Sequence, residues 1–369
     1  MLKPLESIKI RTGKNQRTGA MLHLRKVIHH GADQVQLYRR LIQFGFLFVV
    51  MAIGIQFALF VGQLESGGAV IVSRPPGVEA FLPISALISL KYWLLTGIFN
   101  TIHPSALVIL LIVLTLAIVL KKSFCSWVCP VGLLSEYLAK LHKFIFRKTY
   151  HLPRLLDYPL RGIKYLLLFF FVWAVFMQMD VLTLEKFLYS PYNKAADIKM
   201  LKFFTELSTV SFYVIAALLV LSALIPYFWC RYLCPYGALL GSVSIFSVFK
   251  IHRDENFCTD CGKCSRVCPS GIKVHTLRKV SSDECHGCLK CIDACPEKDA
   301  LGISITGKRF RIRRRPFALA VVAVFVLGTA LARILGHWQN SISSDEYRVH
   351  IQKLDDPSYQ HNRGKVPDY

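Results

Sequence analysis

The stretch "SFCSWVCPVG" (residues 123–132) closes a long apolar run, and "YFWCRYLCPYG" (residues 227–237) closes another. Aligning Cys125 with Cys230 puts Phe124 on Trp229, Cys129 on Cys234, Pro130 on Pro235 and Gly132 on Gly237. A Cys-x-x-x-Cys-Pro repeated at the same end of two apolar runs reads as two copies of one unit. A fainter echo precedes each copy: "EAFL" at 79–82 and "EKFL" at 185–188, one residue out of phase with the cysteine offset. Both copies have the same sense, which predicts a parallel two-fold repeat about an axis normal to a membrane.

The membrane follows from composition. Of 369 residues, 53% are hydrophobic, and the mean hydropathy is +0.42. Five segments, 41–62, 104–121, 160–178, 211–228 and 317–337, approach the roughly 20 apolar residues that a crossing needs. The first 40 residues are polar and basic and offer no signal-peptide core. Residues 81–99, interrupted by Pro83 and Lys91, read as a helix at the outer interface, and 133–148 as an amphipathic helix on the inner surface.

The net charge of +22 is distributed by segment. Lys and Arg number 9 in residues 1–40, 2 in 63–103, 9 in 121–164, 4 in 179–210, 16 in 231–315 and 5 from Arg333 onward. This alternation is the positive-inside pattern. It predicts a cytoplasmic N-terminus, 122–159 loop and 229–316 segment, with the C-terminal tail outside. The same distribution argues against nucleic acid as a partner. The run "KRFRIRRRP" (308–316) reads as a topology anchor beside anionic lipid.

Eight of the twelve cysteines fall within residues 258–295. "CTDCGKCSRVCP" supplies Cys258, Cys261, Cys264 and Cys268; "CHGCLKCIDACP" supplies Cys285, Cys288, Cys291 and Cys295. This is the spacing of bacterial two-cluster ferredoxins, in which the fourth cysteine of each run ligates the other cluster. Cys258, Cys261, Cys264 and Cys295 are therefore expected to hold one 4Fe-4S cluster, and Cys268, Cys285, Cys288 and Cys291 the second. Structural zinc sites pair two CxxC knuckles and have no use for a third cysteine at the same interval. Disulfides suit the reducing side of a membrane poorly.

Three readings of Cys125, Cys129, Cys230 and Cys234 stand side by side. Each pair at i and i+4 shares a helix face ended by the following proline. If the halves pack about the pseudo-axis, four thiolates converge as a further iron-sulfur site; otherwise they are a redox dithiol or packed free thiols.

CxxxCP after one apolar run, CxxxCPYG after another and then a two-cluster ferredoxin resembles the membrane ferredoxin family that includes NapH-, NosR- and CcoG-type proteins. The likeness covers about residues 41–305. It implies quinol oxidation and electron delivery to periplasmic reductases, or maturation of copper-containing respiratory enzymes. No segment similar to the flavin-binding portion of NosR-like members precedes residue 41, and the fifth apolar run and the tail extend beyond the NapH-like arrangement.

The resulting expectation is an α-helical membrane protein of about five transmembrane helices with a two-fold internal repeat and an inserted α+β two-cluster ferredoxin. Its parts are a basic cytoplasmic segment (1–40), a four-helix repeat region (41–250), a ferredoxin domain (251–305), a basic anchor with a fifth helix (306–337) and an outer tail (338–369) that is either a flexible docking segment or disordered. It belongs in a bacterial-type inner membrane. Electrons pass between the quinone pool and other iron-sulfur or cytochrome subunits, as in a quinol dehydrogenase or an electron-transfer subunit. The alternatives are a factor that reduces or delivers copper to a respiratory metalloenzyme, and a redox-sensing regulator. A quinone site needs an apolar slot with proton-exchanging groups; Glu79, His103, Glu185 and His337 are the candidates, with Lys91 beside them. His286, inside the second cysteine run, is a candidate for tuning a cluster potential.

Overall fold

The computed structural model describes residues 35–147, 152–297, 299–305, 311–312 and 314–359. The basic segment up to residue 34, residues 308–310 and 313 of the basic run, and the tail from residue 360 lie outside the described residues.

The helices are α1 (Val35–Glu65), α2 (Pro83–Thr96), α3 (Pro104–Leu120), α4 (Ser123–Trp127), α5 (Pro130–Phe146), α6 (Arg154–Gln178), α7 (Val181–Leu188), α8 (Ala196–Thr205), α9 (Thr209–Leu224), α10 (Pro235–Ser244), α11 (Arg314–Ile334) and α12 (Ser344–Gln352). Three of them, α1, α6 and α11, are long and apolar enough to cross a membrane. At 17 and 16 residues, α3 and α9 are shorter, and α9 meets α8 at a bend of 77°.

Burial explains the character of α3. Leu107, Val113 and Leu116 are wholly shielded, because α2, α10 and α11 pack around it. A helix that is apolar all round is one surrounded on all sides. The other long helices carry their apolar surface outward: Phe48 and Ile55 on α1, Leu166 and Phe169 on α6, Phe212 and Tyr213 on α9, Leu319 and Leu327 on α11. Exposed apolar surface of this extent suits a membrane or a protein partner rather than water.

Four of the apolar helices reach the face that carries the cysteine-rich unit: Gln36 of α1, Lys121 at the end of α3, Lys164 of α6 and Phe317 of α11 all meet it or its neighbours. The opposite face gathers the end of α1, the start of α3 and the tail, where Phe60 packs edge-on against Tyr347 at 5.6 Å. The tail up to Tyr359 is therefore folded, where a flexible or disordered segment was expected. Ser343 caps α12 by accepting from the Glu346 N–H, and Tyr347 and Tyr359 sink into the same apolar cluster as Phe57 and Leu64.

The cysteine-rich unit lies between α10 and α11. Strand β1 (Phe249–Arg253) pairs antiparallel with β2 (Leu301–Ile305), with Phe249 opposite Ile305, and the two-residue β3 (Arg311–Ile312) adds to β2. Each cysteine run between β1 and β2 folds a single helical turn, Lys263–Arg266 and Lys290–Asp293, preceded by a left-handed residue, Gly262 (φ 67°) and Leu289 (φ 59°). One apolar core joins this unit to the helices: Ile251, Leu289, Ile292 and Ile303 share it with Val35, Leu120, Trp127 and Phe317.

Candidate metal centres

Cys258, Cys261, Cys264 and Cys295 line one pocket, together with Gly262, His275 and Pro296. Cys295 interacts electrostatically with Cys264, Cys261 and Cys258. Cys268 in turn interacts with Cys288 and Cys285, and Cys291 with Cys288, Cys285, Cys268 and Cys264. The chain gathers Cys258, Cys261, Cys264 and Cys295 around one pocket and places Cys268 beside the second cysteine run. Backbone N–H groups of Ser270 and Ile272 reach Cys268, that of Gly287 reaches Cys285 and that of Glu297 reaches Cys295. Such donors favour thiolate sulfur, so the residues present fit a cluster held by four thiolates. Among the described residues no three His, Cys, Asp or Glu side chains gather tightly enough to hold a single ion, the arrangement that zinc requires. The sets differ in exposure by one position: the first has Cys261 exposed and Cys264 buried, whereas the second has both Cys285 and Cys291 buried and none exposed.

The CxxxCP segments fold differently from the sequence expectation. The proline does not end a helix bearing both cysteines; it begins the next one. Cys125 sits in α4, Cys129 (φ −64°, ψ 121°) is the cap, and Pro130 opens α5. Cys230 sits in a π-helical turn (Trp229–Leu233), Cys234 (φ −73°, ψ 105°) is the cap, and Pro235 opens α10. Proline suits that first position because its missing N–H would be an orphan there anyway. At Gly132 a Cβ would collide with the Cys125 carbonyl, which explains the glycine two residues after the proline.

The two copies meet. Cys125 interacts electrostatically with Cys129, Cys234 and Cys230, and Cys230 with Cys129 and Cys234. Desolvation pushes the Cys129 thiol up to about 11 and the Cys230 thiol up to about 12. Polar hydrogens nonetheless point at the sulfurs: the Gly237 N–H donates to Cys234 at 3.2 Å, Ser135 Oγ lies 3.3 Å from Cys230 Sγ, and the Gly132 and Val131 N–H groups reach Cys129. Four sulfurs from two halves thus share one neighbourhood, three of them, Cys129, Cys230 and Cys234, with polar groups directed at them.

A dense junction joins this site to the buried ferredoxin set. Ser126 Oγ donates to the His286 carbonyl at 2.6 Å, Trp127 Nε1 to the Gly287 carbonyl at 3.0 Å, and Gln36 Nε2 to the Cys288 carbonyl at 3.0 Å. Gly287 (φ 59°) makes the approach close enough: its Cβ would stand 3.1 Å from the Leu120 carbonyl. Lys121 Nζ donates to the carbonyls of Ser281 and Ser282 at 3.1 and 3.2 Å. Lys164 Nζ bonds Glu284, and Tyr165 bonds Asp283. Arg39 of α1 grips Glu136 of α5 with two nitrogens at 2.8 and 2.9 Å, and Lys290 joins the same carboxylate at 3.0 Å. Desolvation and the cations Lys122 and Lys164 push the His286 imidazole well below the ordinary histidine value.

On the opposite face, two of the four quinone candidates come together. Glu79 and His103 are fully buried, with His103 Nδ1 3.4 Å from Glu79 Oε1. Arg74 lies 3.0 Å from Glu79 and 2.7 Å from Asp197. Ser105 Oγ donates to Glu79 at 2.6 Å, Tyr347 to Asp197 at 3.1 Å, and His103 Nε2 lies 2.7 Å from the Asn193 carbonyl. Glu185 is exposed on α7, outside this network, and His337 is half-buried and stacked on Phe99 at 4.2 Å. Lys91 caps the end of α6 by donating to the carbonyls of Val175, Phe176 and Met179. Sequence reasoning missed Arg74, Asp197, Arg39 and Glu136. Arg74 alone left a trace, as one of two cations in residues 63–103.

Comparison with known proteins agrees with this organisation. Residues 102–149 and again 208–254 match the family described as "4Fe-4S binding domain", and residues 250–296 match the "4Fe-4S dicluster domain". The chain is 40% identical to the "Putative electron transport protein YccM" of Escherichia coli K12 over 84% of this chain and 88% of that protein. It is 25% identical to the "Ferredoxin-type protein NapH" of Haemophilus influenzae over 72% and 88% of the two chains. It is 27% identical to the "Regulatory protein NosR" of Pseudomonas aeruginosa over 52% of this chain and 26% of that one. No solved structure matches.

Proposed function

This chain belongs to the family of membrane 4Fe-4S proteins that includes YccM, NapH and NosR, and from that premise we propose that it is the membrane-embedded link between a redox partner on its ferredoxin face and the quinone pool. As in its relatives, it is an iron-sulfur electron-transfer protein. A 4Fe-4S group, when bound, supplies a one-electron couple, and the protein supplies ligation, insulation and placement.

The observation that carries the reading is adjacency. Cys125 and Trp127 share the short α4, and the same helix bonds the backbone between Cys285 and Cys288. The set of Cys258, Cys261, Cys264 and Cys295, reached by solvent at Cys261, faces a soluble partner; the set of Cys268, Cys285, Cys288 and Cys291 is insulated against the helices; Cys125, Cys129, Cys230 and Cys234 lie deeper and hold a third group. This ordering spans part of a hydrocarbon core about 30 Å thick.

The topology that supports it has five crossings, α1, α3, α6, α9 and α11, in two parallel halves, with the five parts of the chain bounded as the sequence suggests. The charge alternation favours a cytoplasmic ferredoxin unit and an outer tail in an inner membrane. Glu79 and His103, buried together on the outer face, are the groups for proton exchange with a quinol; Glu185 and His337 have no place in that network.

Anaerobic purification and counting of iron and acid-labile sulfide test the ligand sets. The wild type is expected to hold about twelve irons, and a variant with Cys125, Cys129, Cys230 and Cys234 changed to Ser about eight. Equal counts would overturn the third group. Reduction of the bound chromophore by a soluble quinol, lost in Glu79→Gln with the iron count unchanged, tests the quinone assignment; undiminished quinol reduction would overturn it.

A further inference from the structure

Among the cations at the junction, nearly all have partners. Lys121 donates to two carbonyls, Lys164 to Glu284, Arg231 to Asp157 and Arg39 to Glu136. Lys122 differs. Its side chain is 1% exposed, and among the described residues it is the one lysine whose buried Nζ has no hydrogen-bond partner. The nearest carboxylate oxygen, Glu284 Oε2, stands 4.0 Å away, and that carboxylate is already bonded by Lys164. Residue 122 is also the cap of α4, three positions before Cys125.

Lys122 and Lys164, both buried, share the one Glu284 carboxylate, which leaves a buried positive charge without an anion of its own, at a cost of several kcal/mol. The surroundings of Lys122 identify a second anion. Lys122 acts electrostatically on the thiols of Cys125, Cys230 and Cys234, three members of the tetrad drawn from both halves, and on Cys285 across the junction. Four thiolates around a 4Fe-4S core leave a net negative group, one unit more negative after it accepts an electron. A fixed positive charge nearby favours the reduced form more than the oxidised one.

We propose that Lys122 is the counter-cation of the group held by Cys125, Cys129, Cys230 and Cys234, and that its charge raises the reduction potential of that group. Lys122 is a positioning and tuning residue, not a ligand. The inference rests on the third group proposed above.

The test is an anaerobic dithionite titration followed by electron paramagnetic resonance, on the full-length wild type, Lys122→Met and Lys122→Arg, each with its iron count. The four-Cys variant identifies which signal belongs to the tetrad. In Lys122→Met the midpoint of that signal should fall by at least a tenfold change in the reduction equilibrium, about 59 mV for one electron. In Lys122→Arg it should remain near the wild-type value, and the signal of the exposed ferredoxin set should not move in either variant. An unmoved tetrad midpoint in Lys122→Met, with about twelve irons retained, would overturn the role of Lys122 while leaving the third group intact. A wild-type count of about eight irons would overturn both. If the extra iron is lost in Lys122→Met, its retention in Lys122→Arg supports the counter-charge, and its loss from both variants overturns it in favour of side-chain packing.

Discussion

The Trp127 indole donates to the Gly287 carbonyl at 3.0 Å, two residues along the chain from Cys125 and midway between Cys285 and Cys288. That single bond joins the repeat that defines the membrane region to the motif that defines the ferredoxin. Trp127 is fully buried and also packs on Phe317 of α11, with ring centroids 5.6 Å apart, so it fixes three elements at once.

Trp127→Phe keeps most of the apolar contact and removes the donor, leaving the Gly287 carbonyl unsatisfied. The expected cost is about 1–3 kcal/mol. It should appear as faster loss of visible absorbance on heating in detergent, with the iron count of the freshly isolated protein unchanged.

The Arg39–Glu136 pair should show strong coupling. Removing Glu136 leaves the buried Arg39 without a carboxylate, at about 3–5 kcal/mol, whereas removing Arg39 leaves Glu136 paired with Lys290 and costs less. The double variant Arg39→Met with Glu136→Leu should be more stable than either single change. A double-mutant cycle on thermal stability checks this, and simple additivity of the two costs would contradict it.

The same carboxylate predicts a dependence on pH. Burial alone would raise the Glu136 pKa, but the hydrogen bonds from Arg39 and the charge of Lys290 outweigh it and hold the value at about 2, below the ordinary 4.5. A carboxylate lowered on folding contributes stability that is fully present above its unfolded value and is lost as pH falls toward its folded one. The stability advantage of the wild type over Glu136→Gln should therefore be constant near neutrality and shrink as pH drops from 4.5 toward 2.

On the opposite face, Arg74→Met leaves Glu79 and Asp197 buried without their shared cation. A loss of about 3–5 kcal/mol is expected, against about 1 kcal/mol for Tyr347→Phe, which removes one hydrogen bond. Limited proteolysis should release the tail beyond α11 readily from Arg74→Met and slowly from Tyr347→Phe.

The elements that sequence revealed were those with a short-range period. The ferredoxin spacing fixed which cysteines group together, since three thiolates on one turn cannot close the fourth corner. The apolar runs located α1, α6 and α11 to within a few residues of their observed ends. What escaped depends on pairing across long separations. Nothing local distinguishes Glu79, held by Arg74 and His103, from its sequence echo Glu185, which faces solvent. The prolines of CxxxCP were read as terminators, yet each begins a helix, because the preceding cysteine takes the extended cap conformation. The tail looked too polar to fold, but two tyrosines and a serine cap suffice when α1 offers an apolar wall.

Phe249 and Ile305 lie directly opposite each other in the register of β1 and β2. The chain therefore leaves the helices and returns to them through two strands about 5 Å apart. In terms of assembly history, the cysteine-rich unit is a cassette in sequence, entered and left at one narrow neck, but a keystone in packing: cutting it out would strip the cover from Val35, Leu120, Trp127 and Phe317, whose core it shares.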